Sequence, residues 1–148
     1  MNNKNDTTFY FANNEQSGMI ENIKYLRVAL YHLYRDTTSI FELQKYITSY
    51  IDCNNIDYNP DTFEIGLRIK KTSMKKIKEF THKPEFYYNI LSNAFYDFIQ
   101  ANIGTLSHWV EYEGGTTNMI DDILCNKNYL SMIFNIVCIN DNMIYIKL

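Results

Sequence analysis

The predicted fold rests on PEFYYNILSNAFYDFI, residues 84–99, the clearest helical stretch of the chain. Pro84 begins the stretch, and the residue before a proline is biased away from helix. The apolar residues that follow recur at spacings of three and four, which places them on one helical face. That stripe consists of Tyr87, Ile90, Leu91, Ala94, Phe98 and Ile99. We therefore predict that this helix, or its continuation through Trp109, is the most buried element.

Helical spacing continues on both sides of this stretch. Further predicted helices lie around Ile23 to Tyr34, Ser39 to Cys53, Asp61 to Ile69, Met74 to Phe80, Leu106 to Val110, after Thr117, and over Leu130 to Val137. No run of alternating apolar and polar residues indicates a strand. We predict an all-α fold, a compact bundle of about seven helices around a central buried helix.

Length and composition indicate one soluble domain. The chain has 148 residues, of which 46% are hydrophobic and 21% are charged, so neither disorder nor a fibrous protein fits. We predict a single domain over residues 1–148, with residues 1–17 as a partly ordered N-terminal extension. No stretch is long and apolar enough to span a bilayer, so we expect no membrane insertion. The three cysteines lack metal-type spacing and are expected to be free thiols.

The charge of the chain bears on nucleic-acid binding. A formal net charge of −3 argues against a general nucleic-acid binder, so we expect no nucleic acid among the partners. Five lysines cluster between Lys70 and Lys78. Since few aromatic residues are interleaved with them, we interpret them as a solvated face.

Catalytic chemistry finds little support in the residue pattern. The side chains that act as bases near neutral pH are His32, His82 and His108, and none lies in a catalytic motif. We predict that these histidines do not share a pocket, and we expect no enzyme activity, no cofactor and no metal. His108 beside Trp109 suggests a stacking site, for which a core or interface anchor is the simpler interpretation.

Several stretches resemble the poxviral Bcl-2-like family. The opening Thr8 to Ala12 is similar to the start of the short vaccinia-type inhibitors of Toll-like receptor and NF-kappaB signalling. The central Ala101 to Gly104, followed by His108-Trp109, resembles their buried fifth helix. Leu130 to Tyr145 looks like their closing apolar helix and tail.

The resemblance implies a Bcl-2-like fold and a non-enzymatic virulence factor. Such a protein suppresses innate immune signalling in the host cell cytoplasm by binding host signalling proteins. Family members often dimerise through the faces of their first and sixth helices. A homodimer is therefore implied here, with Tyr25, Tyr31 and Asp121 as candidate dimer contacts.

Two alternatives stay open. One is a viral anti-apoptotic Bcl-2 homologue, which would bind a host apoptosis regulator by holding its amphipathic helix in a groove. The candidate groove residues are Phe63, Leu67, Ile77, Tyr87 and Thr105. Cellular Bcl-2 proteins carry an arginine after the Asn-x-Gly motif, whereas Thr105 follows Asn102-Ile103-Gly104 here, so we expect weak binding of such helices. The other alternative is an unrelated all-α interaction module.

Overall fold

The computed structural model describes residues 3–70 and 84–148, with side chains at positions 18–55, 57–70 and 84–148. Within these ranges the chain forms six helices and a four-stranded antiparallel sheet. The helices are α1 (Asn3–Tyr34), α2 (Thr37–Thr48), α3 (Pro84–Ala101), α4 (Ile103–Tyr112), α5 (Asn118–Leu124) and α6 (Lys127–Leu130). The strands are β1 (Cys53–Asn59), β2 (Glu64–Ile69), β3 (Asn135–Asn140) and β4 (Met143–Lys147). The predicted all-α, Bcl-2-like bundle is therefore wrong, because the fold is mixed.

The sheet joins two hairpins in the order β1-β2-β4-β3. The hairpins meet where β2 pairs with β4, with Leu67 opposite Ile144 and Gly66 opposite Tyr145. Side chains alternate between the two faces of a strand, and one face of this sheet is buried. The buried residues of the two central strands include Ile65, Leu67, Ile69, Ile144 and Ile146.

Residues 64–69 form a strand where a short helix is predicted. Ile65 and Ile69 are four positions apart, as on a helical face, but Leu67 between them is also buried and Arg68 is exposed. A period of two is the period of a strand. Asp61, where the predicted helix begins, lies in a turn, and its backbone N–H donates to Asn59 Oδ1 at 2.9 Å.

The second error concerns the predicted helix over Leu130 to Val137. Helix α6 ends at Leu130, and β3 begins at Asn135. Between them Phe134 stacks on Phe95 of α3, with ring centroids 4.6 Å apart. The β-branched residues of β3 also favour a strand over a helix. Packing against α3 and side-chain shape thus override a helical spacing that spans only two turns.

Helix α3, which contains residues 84–99, is a core helix as predicted. Phe95, Phe98 and Ile99 of α3 are fully buried. Phe98 stacks on Tyr34 of α1 with ring centroids 6.3 Å apart, which joins α3 to the end of α1. Helix α1 in turn packs along α4. The contacts of α1 with α3 and α4 together hold the last turn of α1 against α4.

Some predictions fall at the edges of the described ranges. From Asn3 onward the predicted N-terminal extension is part of α1. The predicted helix at Met74 and the lysines after Lys70 lie outside the described residues, whereas Lys70 forms an ion pair with Asp52 at 3.2 Å. In the part of the chain that the structure describes, no helix has both the length and the apolar character needed to cross a membrane.

Candidate functional site

The strongest candidate site lies where the end of α1 meets α4. Leu106 and Val110 of α4 are buried, which turns the opposite flank of this helix outward. Beside these two residues, Trp109 is half-buried and packs against the core, and its indole ring is stacked on the imidazole ring of His32, with centroids 3.8 Å apart and planes 8° apart. The two helices thus join their aromatic side chains in one surface.

A hydrogen bond holds the histidine in this position. The Nε2 atom of His32 lies 3.2 Å from Oε1 of Glu113, the C-cap residue of α4. The His32 side chain is 19% exposed and the Glu113 side chain 32%. The imidazole ring is therefore fixed by its stacking on Trp109 and by the hydrogen bond to Glu113. Both contacts lie at the edge of the hydrophobic core.

Two more rings complete the surface. His108 meets Trp109 edge to face at 5.3 Å and 73°, and Tyr112 meets it at 5.5 Å and 83°. Tyr112 is 72% exposed, which is unusual for a large aromatic residue. We call His32, His108, Trp109, Tyr112 and Glu113 the aromatic surface.

The chemistry of the aromatic surface favours binding over catalysis. A histidine paired with a carboxylate resembles part of a catalytic triad, but nucleophilic catalysis also needs a hydroxyl or thiol on the histidine. The contacts of His32 in the described part of the chain are with Trp109 and Glu113, and neither residue has a hydroxyl or thiol. The described residues also contain no group of three or more His, Cys, Asp or Glu able to hold a metal ion.

The structure brings two of the three histidines to the same indole ring. His32 and His108 both contact Trp109, although within the described ranges no hydrogen bond joins the two imidazoles. His82 lies outside the described residues. The prediction that the three histidines share no pocket therefore stays a prediction.

The predicted groove residues lie in separate parts of the fold. Phe63, in the turn between β1 and β2, stacks on Tyr31 at 4.7 Å and 12°. Leu67 and Tyr87 are buried in β2 and α3, and Thr105 is exposed in the first turn of α4. The fifth predicted residue, Ile77, lies outside the described residues.

The three predicted dimer contacts also lie in separate places. Tyr25 is half-buried beside Gly115, where a Cβ atom would approach its ring to 3.1 Å. Tyr31 faces the β1–β2 turn through its contact with Phe63. Asp121 is exposed in the first turn of α5. The two tyrosines thus occupy different faces of α1.

Sequence signals identify only part of the aromatic surface. His108, Trp109 and Tyr112 lie within five residues, and the adjacent pair does suggest stacking. His32 and Glu113 are 81 positions apart, so no local pattern relates them. Their contact depends on how α1 packs along α4.

Comparisons of the chain with protein-family models, with curated proteins and with solved structures found no match. The resemblance to poxviral Bcl-2-like proteins therefore stays a prediction. The all-α fold that the resemblance implies is wrong, because the chain contains an antiparallel sheet.

Proposed function

We propose that this protein is a non-enzymatic binding protein whose aromatic surface docks on a partner protein. The observation that carries the proposal is the fixed ring of Trp109, stacked on His32 beside a largely exposed Tyr112. Trp and Tyr are the residues that most often dominate the binding free energy of protein interfaces. A ring that is already held in place loses little conformational entropy when a partner covers it.

The charges around the aromatic surface specify the partner's chemistry. Helix α4 contains no lysine or arginine, and Tyr112 is flanked by Glu111 and Glu113. The C-terminal end of a helix also carries a partial negative charge. Aromatic faces attract cations, arginine in particular. The partner is therefore a protein that presents an arginine or lysine side chain together with apolar groups.

The resemblance supports host signalling proteins in the host cell cytoplasm as the source of this partner. The alternative of a groove for a pro-apoptotic helix has weaker support, because Leu67 and Tyr87 are core residues. A homodimer through the aromatic surface is less favoured, since it would bring the carboxylates of two copies together.

Intrinsic fluorescence can test the proposal, because Trp109 is the only tryptophan of the chain. The probes are two amphipathic helical peptides of about four turns that differ at one central position, arginine in one and the neutral isostere citrulline in the other. We expect the arginine peptide to change Trp109 fluorescence and to bind at least about tenfold more tightly than the citrulline peptide.

Variants assign the binding to the aromatic surface. Tyr112→Ala and the double variant Glu111→Gln with Glu113→Gln should each reduce this preference for arginine. The matched control is Tyr96→Ala, which removes an exposed tyrosine from a different helix, α3, and should retain the preference for arginine. Equal binding of both peptides would contradict the proposal. Self-association that Tyr112→Ala abolishes would instead assign the surface to a second copy of the chain.

A further inference from the structure

A cleft with polar and charged side chains in its walls lies between α3 and α6, and it shares no residue with the aromatic surface. It has a volume of about 320 Å³, at the lower end of the range for small-molecule sites. Its walls include Glu85, Asn89 and Ser92 from α3 and Lys127 and Asn128 from α6. Ser92 is only 2% exposed. Hydroxyl, amide, ammonium and carboxylate groups therefore surround one small space, which we call the α3–α6 cleft.

The walls of the α3–α6 cleft are held in place by their own contacts. Tyr88, which also lines the cleft, accepts a hydrogen bond from the backbone N–H of Ile136 at 3.0 Å, and its ring stacks on Phe134. On the α6 side, the Asn128 backbone N–H donates to Asn126 Oδ1 at 2.9 Å. A site whose walls are already fixed loses little entropy on binding.

The cleft contains one residue of each charge, Glu85 and Lys127. In the described part of the chain neither Glu85 nor Lys127 forms an ion pair, with each other or with another residue. A simple anion would be attracted by Lys127 and repelled by Glu85, and a simple cation the reverse. A molecule that carries both charges satisfies both residues.

We propose that the α3–α6 cleft binds a free α-amino acid with a polar side chain. The α-carboxylate pairs with the ammonium group of Lys127, and the α-ammonium group pairs with the carboxylate of Glu85. Asn89, Asn128 and Ser92 offer both donors and acceptors to the ligand side chain. An apolar side chain would leave these groups without partners, which disfavours it.

Heteronuclear NMR titration of the full chain tests this site directly. The probe is L-glutamine, compared with N-acetylglutamine, which lacks the ammonium group, and with glutamine α-amide, which lacks the carboxylate. We expect saturable shifts of the α3 and α6 amide signals with L-glutamine, and at least about tenfold weaker binding of each analogue.

Single charge removals provide the matched variants. Lys127→Gln and Glu85→Gln, both at exposed positions, should each weaken L-glutamine binding by about tenfold, whereas Lys24→Gln on α1 should leave it unchanged. The proposal is overturned if no cleft signal shifts with up to about 10 mM of L-glutamine, or if the analogues bind equally well. Either result leaves the aromatic surface untouched, since the two sites share no residue.

Discussion

The Tyr58 hydroxyl of β1 donates a hydrogen bond of 2.6 Å to the backbone carbonyl oxygen of Tyr34, the last residue of α1. The last carbonyl groups of a helix have no partner within the helix, so this contact satisfies one of them. The Tyr34 side chain is itself buried, and its hydroxyl finds no hydrogen-bond partner in the described part of the chain. The two tyrosine hydroxyls therefore have opposite effects on stability.

Substitution of each tyrosine by phenylalanine separates these effects. Tyr34→Phe removes a buried hydroxyl that has no partner, and we expect it to raise the free energy of unfolding by about 1 kcal/mol. Tyr58→Phe leaves the Tyr34 carbonyl without its donor and should lower that free energy by about 1 kcal/mol. Urea unfolding followed by circular dichroism measures both. A destabilised Tyr34→Phe variant would show that the hydroxyl has a partner after all.

A second pair of variants concerns two glycines at the ends of α4. A Cβ atom at position 115 would lie 2.9 Å from Val110 Cγ1 and 3.1 Å from the Tyr25 ring, so Gly115→Ala forces the packing apart. We expect a loss of about 1 to 3 kcal/mol in the free energy of unfolding.

Gly104, in the first turn of α4, is the matched control. A Cβ atom there meets nothing within 4 Å, and alanine is the better helix former. Gly104→Ala should raise the melting temperature where Gly115→Ala lowers it. Similar melting temperatures for the two variants would show that there is room for a Cβ atom between residue 115 and the Tyr25 ring of α1.

Alkaline pH should destabilise the protein. Burial raises the pKa of Tyr58 from 10.0 to about 12, and burial together with the nearby Asp52 carboxylate raises the pKa of the Cys53 thiol from 9.0 to about 11. The folded chain thus holds these protons more tightly than the unfolded chain. Stability is retained below about pH 9 and is lost as the pH rises to about 12, because the unfolded chain ionises first.

Urea midpoints at about pH 8 and pH 11 measure this loss. The Tyr58→Phe variant, which lacks one of the two groups, should lose less stability between these pH values than the wild type. An unchanged midpoint in the wild type would mean that neither proton is held more tightly in the folded state.

The core helix α3 was the most predictable part of the fold. The stripe of α3 repeats over about three and a half turns, and a pattern of that length distinguishes a helix from a strand. The strands are too short for their patterns to be distinguished in this way. In β2 the spacing of four between Ile65 and Ile69 fits a helix or a strand, and only the burial of Leu67 identifies the strand. Burial depends on the packing of distant segments, which no local pattern encodes.

The aromatic surface was also predictable only in part. Its α4 part is visible as neighbouring aromatic residues and glutamates in one short stretch. The contribution of His32 depends on how two helices pack, and the interpretation of Trp109 as an ordinary anchor left out the partner that fixes its ring. The α3–α6 cleft depends likewise on the position of α6, which ends at Leu130, the residue where the predicted helix begins.

The pairing of β2 with β4 sets the order in which the chain can fold during synthesis. Ile69 and Asn142, joined by a hydrogen bond of 3.0 Å beside this pairing, are 73 positions apart. On the ribosome the β1–β2 hairpin therefore emerges long before the strand that completes it, and the open edge of β2 is available to other chains. Contacts between such distant positions also make the search for the native state slow. The edge of β2 is thus closed to other strands only once β4 has been made and has paired with it.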